Sequence, residues 1–297
     1  MSSIIETAGA APGTHRLEGR VEMKKGWIVI VLCGLAAAQA PQLLAQFTAE
    51  ELAQRPQWEE FLATAKEIAQ QQITGAEAVT SPWKLTLQLG DVTHNALWKN
   101  ARGRMGGYIE GWQYEIAAYR LDKYLGLDMV PPTVERRFRG DPGSCQLWVT
   151  DTMSLKEKEE KKIKTPPRWV FGWNRSTYLQ RFWDNLIANE DRHQNQILLT
   201  KDWRMILIDH SRSFRTSKKF TEKLIYTEKH PEGPKLMSQL PRVLVEKTKA
   251  LTFDSIRGVV GDTLTDEEIK DVLLRRDLIL KEIDKLIKKN GESEVLY

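Results

Sequence analysis

The segment from Glu190 to Arg212, EDRHQNQILLTKDWRMILIDHSR, leaves this chain few options. Two short apolar runs, Ile197–Leu199 and Met205–Ile208, are separated by a stretch containing Lys201 and Asp202. Apolar runs broken in this way predict a β-hairpin. A hairpin returns its ends to one place, so Asp191 and Asp209 are expected to meet in space. Beside them stand two amides, Asn195 and Gln196, which complete a set of hard oxygen donors for a divalent cation. One acid to orient an attacking hydroxyl and another to bind metal is an arrangement suited to phosphoryl transfer. Taken alone, Asp191-Arg192-His193 reads equally well as a solvated surface turn, so the upstream sequence has to decide.

Upstream, Trp83–Leu89 alternates in polarity, Gly90-Asp91 marks a turn, and Ala96–Lys99 predicts a second strand. Lys99 closes that apolar strand, a costly place for an ammonium without a partner. Trp112–Leu125 follows as an amphipathic helix with Ile116, Tyr119, Leu121 and Leu125 on its apolar side and Glu115 in its first half. A strand lysine fixed by a helix glutamate is how kinases hold nucleotide phosphates.

Ordered along the chain, these residues carry a family likeness. Ala96-Leu-Trp-Lys99, Tyr114-Glu-Ile-Ala-Ala-Tyr119, Val130-Pro-Pro-Thr-Val134, Asp191-Arg-His193 and Ile208-Asp-His210 together resemble the phosphatidylinositol 3-/4-kinase-like atypical kinase superfamily. They are also similar to the secretory-pathway casein kinases and the HipA-type kinases. The resemblance implies an α+β, two-lobed protein-kinase-like fold with a small β-rich N-lobe and a helical C-lobe. ATP with Mg2+ (or Mn2+) would bind between the lobes. Lys99 and Glu115 would hold the nucleotide, Asp209 the metal, and Asp191 the acceptor hydroxyl. Arg192 and His193 would brace the loop or touch the transferring phosphate, and Leu147–Asp151 would connect the lobes and line the adenine pocket. Two departures stand out. No Gly-x-Gly-x-x-Gly is present, so amides around Thr80 and Ser81 would cover the phosphates, unless these residues simply turn the chain before Pro82. Gln196 stands where the family pattern has asparagine; its carbonyl is the right kind of ligand on a longer arm, and Asn195 would serve only with a one-residue shift.

Residues 1–45 read as leader and signal peptide, with Met23 as the start. Met23-Lys24-Lys25, an apolar run from Trp27 to Ala38 and a small-residue exit give that pattern. Ala38-Gln39-Ala40 fits the small-x-small rule, but Pro41 hinders cleavage there, so the cut is expected after Ala45. The run falls short of the about 20 residues that span a bilayer. Export to a periplasmic or extracellular space is therefore expected, with an uncleaved membrane anchor as the alternative. Of the two cysteines, Cys33 lies in the leader, so the mature chain has no intramolecular disulfide.

The expected organisation beyond the leader is a helical segment at 46–73, the N-lobe at 74–153, a charged linker at 154–167 and the C-lobe at 168–297. In the first, Thr48 and Glu51 form a capping box, Trp58, Phe61, Leu62 and Ala65 fall at helical spacing, and Pro56 predicts a break. A second hairpin is predicted from Thr133–Arg139 and Cys145–Thr150 around Gly140–Gly143. Leu155–Lys164 is a mixed-charge run ending at Pro166-Pro167. A helix over Ser176–Asn189 delivers the chain to Asp191, and helices over Leu240–Leu251 and from Thr265 to a stop at Gly291 complete the lower lobe. The basic stretch containing Arg212, Arg215, Lys218 and Lys219 either grips an anionic group or is a solvated loop.

With 44 Lys and Arg against 40 Asp and Glu, charge gives no argument for nucleic acid or an anionic membrane as partner. Three functional readings remain: a phosphotransferase acting on a hydroxyl of a protein or small molecule, a lipid kinase, and an exported pseudokinase serving as a nucleotide-binding scaffold.

Overall fold

The computed structural model describes residues 47–75 and 80–297; the expected signal peptide and its cleavage sites lie outside the described residues. Helices α1 (Ala49–Ala53) and α2 (Arg55–Thr64) come first. Thr48 and Glu51 form the expected capping box. Pro56 occupies the first turn of α2, where no backbone N–H is missed, so the expected break is the junction between two helices.

The helix expected to continue to Ile73 ends at Thr64. Ala65 takes an extended ψ of 142°, and Lys66–Gln72 becomes strand β1. Its helix-favouring Lys, Glu and Gln residues instead pair along β2 (Trp83–Leu89), where the ladder satisfies an otherwise open sheet edge. Tertiary pairing overrides local propensity here. Arg136 fastens the turn by donating to Leu62 O at 2.7 Å and Ala65 O at 2.6 Å.

The upper sheet has the order β1-β2-β3-β7-β6, with β3 spanning Val92–Lys99, β6 Thr133–Phe138 and β7 Asp141–Leu147. The β6–β7 turn is tighter than expected. Arg139 and Gly140 turn the chain with φ of 54° and 92°, as a two-residue hairpin loop requires. Asp141, Pro142 and Gly143 therefore lie in the strand. A Cβ on Gly143 would stand 2.4 Å from Lys99 O, so only glycine lets β7 approach the end of β3 this closely. Phe61, Leu62, Leu85, Leu87, Trp98 and Phe138 pack the core between sheet and α2.

Between β3 and the helix α3 (Trp112–Leu125) lies an unanticipated hairpin, β4 (Arg102–Met105) and β5 (Tyr108–Gly111). Gly106 and Gly107 turn it with φ of 56° and 87°. The stretch expected as an exposed linker also carries structure: β8 (Thr152–Ser154) leads into α4 (Leu155–Glu160), capped by the Ser154 hydroxyl. Lys158 of α4 is buried, with its ammonium 5.8 Å from the Trp173 ring, so mixed charge did not mean full solvation.

Helix α5 begins at Pro167 rather than Ser176 and runs to Ile187, with Ala188 in the left-handed region as its cap. The predicted hairpin follows as β9 (Ile197–Thr200) and β10 (Met205–Leu207), joined by β8 in a three-stranded sheet. Helices α6 (Lys218–Thr221), α7 (Arg242–Lys249), α8 (Phe253–Val260), α9 (Asp266–Asn290) and α10 (Glu292–Val295) complete the lower part, α8 being unanticipated. Their apolar faces close over Leu179, Phe182, Trp183, Leu186 and Ile187 of α5. The result is the sheet-rich upper and helical lower arrangement of a kinase-like fold. Among the described residues no helix is long and apolar enough to cross a membrane.

Candidate active site

Lys99 ends β3 with its side chain almost fully buried, and its ammonium donates to Glu115 Oε1 and Asp209 Oδ1, each at 2.8 Å. Burial alone would lower its pKa; the two carboxylates outweigh that and hold it above the ordinary lysine value. Burial likewise pushes Asp209 upward, but Lys99 beside it prevails and keeps the carboxyl well below the usual range. Glu115 is held low by the same balance. All three are therefore charged at neutral pH.

Asp209 sits at a positive φ of 61°, and its Oδ1 also accepts from the Ser211 hydroxyl at 2.9 Å. The Asp209 side chain remains 36% exposed on the cleft side. Glu115 Oε2 accepts the His210 backbone N–H at 2.9 Å, which ties α3 to the loop after β10. The backbone N–H of Gly111 donates to Ser211 O at 2.9 Å, so the β4–β5 hairpin is tied to that loop too.

Asp191 is brought to the same cleft, a cavity of about 500 Å3 that it lines with Asp209, Gln196, Asn195, His193 and Thr80. Lys156, Gln194, Glu110, Ser211 and Arg212 complete the walls. Of the pair expected to cover a nucleotide only Thr80 lines the cleft; Ser81 does not, and residues 76–79 lie outside the described residues.

Of the two roles expected for Arg192, the geometry is that of the brace and not of a residue that touches the transferring phosphate. Its guanidinium points into the protein, where it bonds Asp184 at 3.0 Å, Ile208 O at 2.6 Å and Gln196 O at 3.2 Å. Side-chain exposure is 2% for Arg192 and 0% for Asp184, so this is a buried brace between α5, the Asp191 loop and the strand leading to Asp209. Arg192 Nη2 lies 3.0 Å from His210 Nε2, and Trp183 Nε1 donates to the same atom at 3.3 Å. With two donors aimed at Nε2, the His210 proton belongs on Nδ1, toward Glu115. Burial, helped by Arg192, holds His210 below the ordinary histidine pKa and hence neutral.

Gln196 also has a local task. Its Oε1 accepts the His193 N–H at 3.3 Å, and its Nε2 lies 3.4 Å from Asp191 Oδ2. The carbonyl expected to ligate metal is thus turned to the loop's own backbone. Among the described residues no group of three or more His, Cys, Asp or Glu side chains builds a metal site by itself. The donors do suit a cation carried by polyphosphate: Asp209 offers a partly exposed carboxylate, and phosphate oxygens would fill the rest of a hard-ion shell.

Glu110, Lys156, Gln194 and Ser211 of the cleft were not singled out from sequence, and Arg212 only as part of a basic stretch. Glu110, on β5, is buried and accepts from Arg212 Nε at 2.6 Å, while Arg212 Nη1 reaches Asp191 Oδ2 at 3.0 Å. The Arg212 guanidinium lies 4.2 Å from the Tyr108 ring centroid. Arg212 is therefore committed to two carboxylates rather than to a free anion. A lone acid inside Tyr108-Ile-Glu-Gly111 was the sequence signal for Glu110, weak without a predicted strand.

Comparison with solved structures gives the fold its relatives. The chain is similar to hydra Fam20 with sugar, at a TM-score of 0.59 and 16% identity over 82% of this chain and 92% of that one. It is also similar to the Golgi casein kinase, at 0.57 and 15% over 84% and 78%, and to that kinase with Mn/ADP bound, at 0.56 and 15% over 84% and 80%. The fold is that of an atypical kinase. The similarity falls on the casein-kinase side of the expected resemblance and does not support the phosphatidylinositol-kinase or HipA affiliations. No family model matches the sequence, and no curated protein does.

Proposed function

We propose that the chain is a phosphotransferase that moves the terminal phosphoryl group of ATP, with Mg2+ or Mn2+, onto a hydroxyl of a protein or small molecule. The observation that carries this reading is the Lys99 ammonium, held at 2.8 Å by both Glu115 and Asp209 beside the cleft that Asp191 lines. A divalent cation bound with the nucleotide would supply charge neutralisation at the transferring group. Asp209 would hold that cation, and Lys99, fixed by Glu115, would orient phosphate oxygens. Asp191 would align the acceptor hydroxyl and take its proton as the new oxygen–phosphorus bond forms and the bond to the ADP oxygen breaks. The neighbouring structure containing Mn and ADP supports the choice of ligands. The Golgi origin of the similar casein kinase and the signal-like N-terminus support a role after export. The two lobes keep their order with shifted limits: β1 joins the upper one, and β8 and α4, expected as the end of the N-lobe and a linker, go with the lower sheet.

A second reading, a nucleotide-binding pseudokinase, is favoured by Gln196, whose carbonyl faces His193 N–H, and by Arg212 pairing with Asp191. Thermal denaturation with ATP and Mg2+ separates the two classes from a plain scaffold. A ligand at a hundredfold its Kd stabilises by about 2.7 kcal/mol. The melting temperature is expected to rise with MgATP, and Asp209→Ala to abolish most of that rise. No shift in the parent protein would remove the nucleotide from the account; a shift without turnover would select the pseudokinase.

A further inference from the structure

Asp122 of α3 takes no part in the chemistry above, yet its side chain is completely buried in a charged cluster. Arg55 of α2, also buried, donates to Asp128 Oδ1 at 2.5 Å and stands 4.0 Å from Asp122 Oδ2. Its guanidinium lies 5.5 Å from the Phe47 ring centroid and 5.8 Å from that of Tyr119. Glu59, one turn along α2, pairs with Lys123 at 2.6 Å and accepts from the Tyr119 hydroxyl. Glu115, Tyr119 and Asp122 follow one another at the spacing that shares a helix face. Helix α3 is thus held near its start by Lys99 and along its second half by α2.

The cluster also reaches the strand before Asp209. Asp122 Oδ1 accepts the Met129 N–H at 3.0 Å, and Met129 O accepts the Leu207 N–H of β10 at 2.8 Å. Leu207 lies two positions before Asp209. We propose that Arg55 and Asp122 are positioning residues, a clamp that fixes α3 and β10 together and so sets Glu115 and Asp209 against Lys99. Its effect on turnover rests on the phosphotransferase reading; the clamp itself does not.

The clamp responds to pH. Burial first, and then repulsion from Asp128, push Asp122 up to about 7, with Arg55 opposing them. The charged or titratable groups facing it are Arg55 from α2, Asp128 from the loop after α3, and Tyr119 one turn earlier on α3. Below that pH Asp122 is neutral, and Arg55 answers Asp128 alone. As pH rises through the folded value a second buried anion forms and the stabilisation is lost. Acidification therefore tightens the clamp.

Amide hydrogen exchange on the intact chain, corrected for the intrinsic pH dependence, tests this. Amides of 112–125 and 205–207 are expected to be several-fold better protected a unit below the Asp122 pKa than a unit above it. Asp122→Asn keeps an acceptor for Met129 and carries no charge, so its protection should stay high at both pH values. Arg55→Gln should lose protection in both segments while α9 is unchanged. In a turnover assay Arg55→Gln should lower kcat several-fold, and Asp122→Asn should flatten the fall of kcat on the alkaline side. Unchanged α3 and β10 protection in Arg55→Gln, or a parental pH response in Asp122→Asn, overturns the clamp. An absence of turnover in the parent protein overturns the phosphotransferase reading instead, and the exchange data still decide the clamp.

Discussion

On the phosphotransferase reading, Asp191→Asn is expected to lower turnover about 10²- to 10⁴-fold, the range for removing a positioned general base. The variant is isosteric and the side chain is 31% exposed, so the fold should survive. Loss of its ion pair with Arg212 still leaves Arg212 bonded to Glu110. Nucleotide affinity should hardly change, because Lys99, Glu115 and Asp209 form their contacts without Asp191. Steady-state kinetics should therefore show a collapse in kcat with little movement in the KM for ATP. Full turnover in this variant would mean that another group receives the proton.

Arg192→Met should act differently, on stability. Removing the guanidinium leaves the Asp184 carboxylate buried without its counter-ion and takes a donor from the Ile208 carbonyl, while Gln196 O keeps the Ile208 N–H. Breaking one side of a buried pair costs about 3–5 kcal/mol. That is a large share of the ~5–15 kcal/mol by which domains are stable. Arg192→Lys should recover only part of it, since an ammonium cannot reproduce the two-nitrogen grip on Asp184. Urea denaturation reads the loss as a lower midpoint. An unchanged midpoint with a selective fall in turnover would return Arg192 to the cleft.

The parts legible in the sequence are those with strong local signals. The helix around Glu115, the β9–β10 hairpin and the Thr265-capped α9 all announce themselves through periodicity, turn residues and caps. The likeness of ordered motifs then brought Lys99, Glu115, Asp191 and Asp209 into one expectation; Asp191 and Asp209 line the cleft, while Lys99 and Glu115 are buried behind Asp209 and reach it only through that carboxylate. What sequence could not give was the direction in which a side chain leaves its loop. Arg192 and His193 are adjacent, yet one turns inward to Asp184 and the other outward to the cleft. Lys66–Gln72 misled for another reason, because its strand state depends on the edge of β2, contributed by a later part of the chain. Glu110 became visible only once Arg212, distant in sequence, was seen to reach it.

An acyl-phosphate derivative of ATP, which transfers its acyl group to a lysine beside the bound phosphates, tests the central claim most directly. Peptide mapping should find Lys99 acylated, and excess MgATP should suppress that label. Labelling confined to exposed lysines, with Lys99 untouched and no competition by MgATP, would contradict a nucleotide site built on Lys99, Glu115 and Asp209.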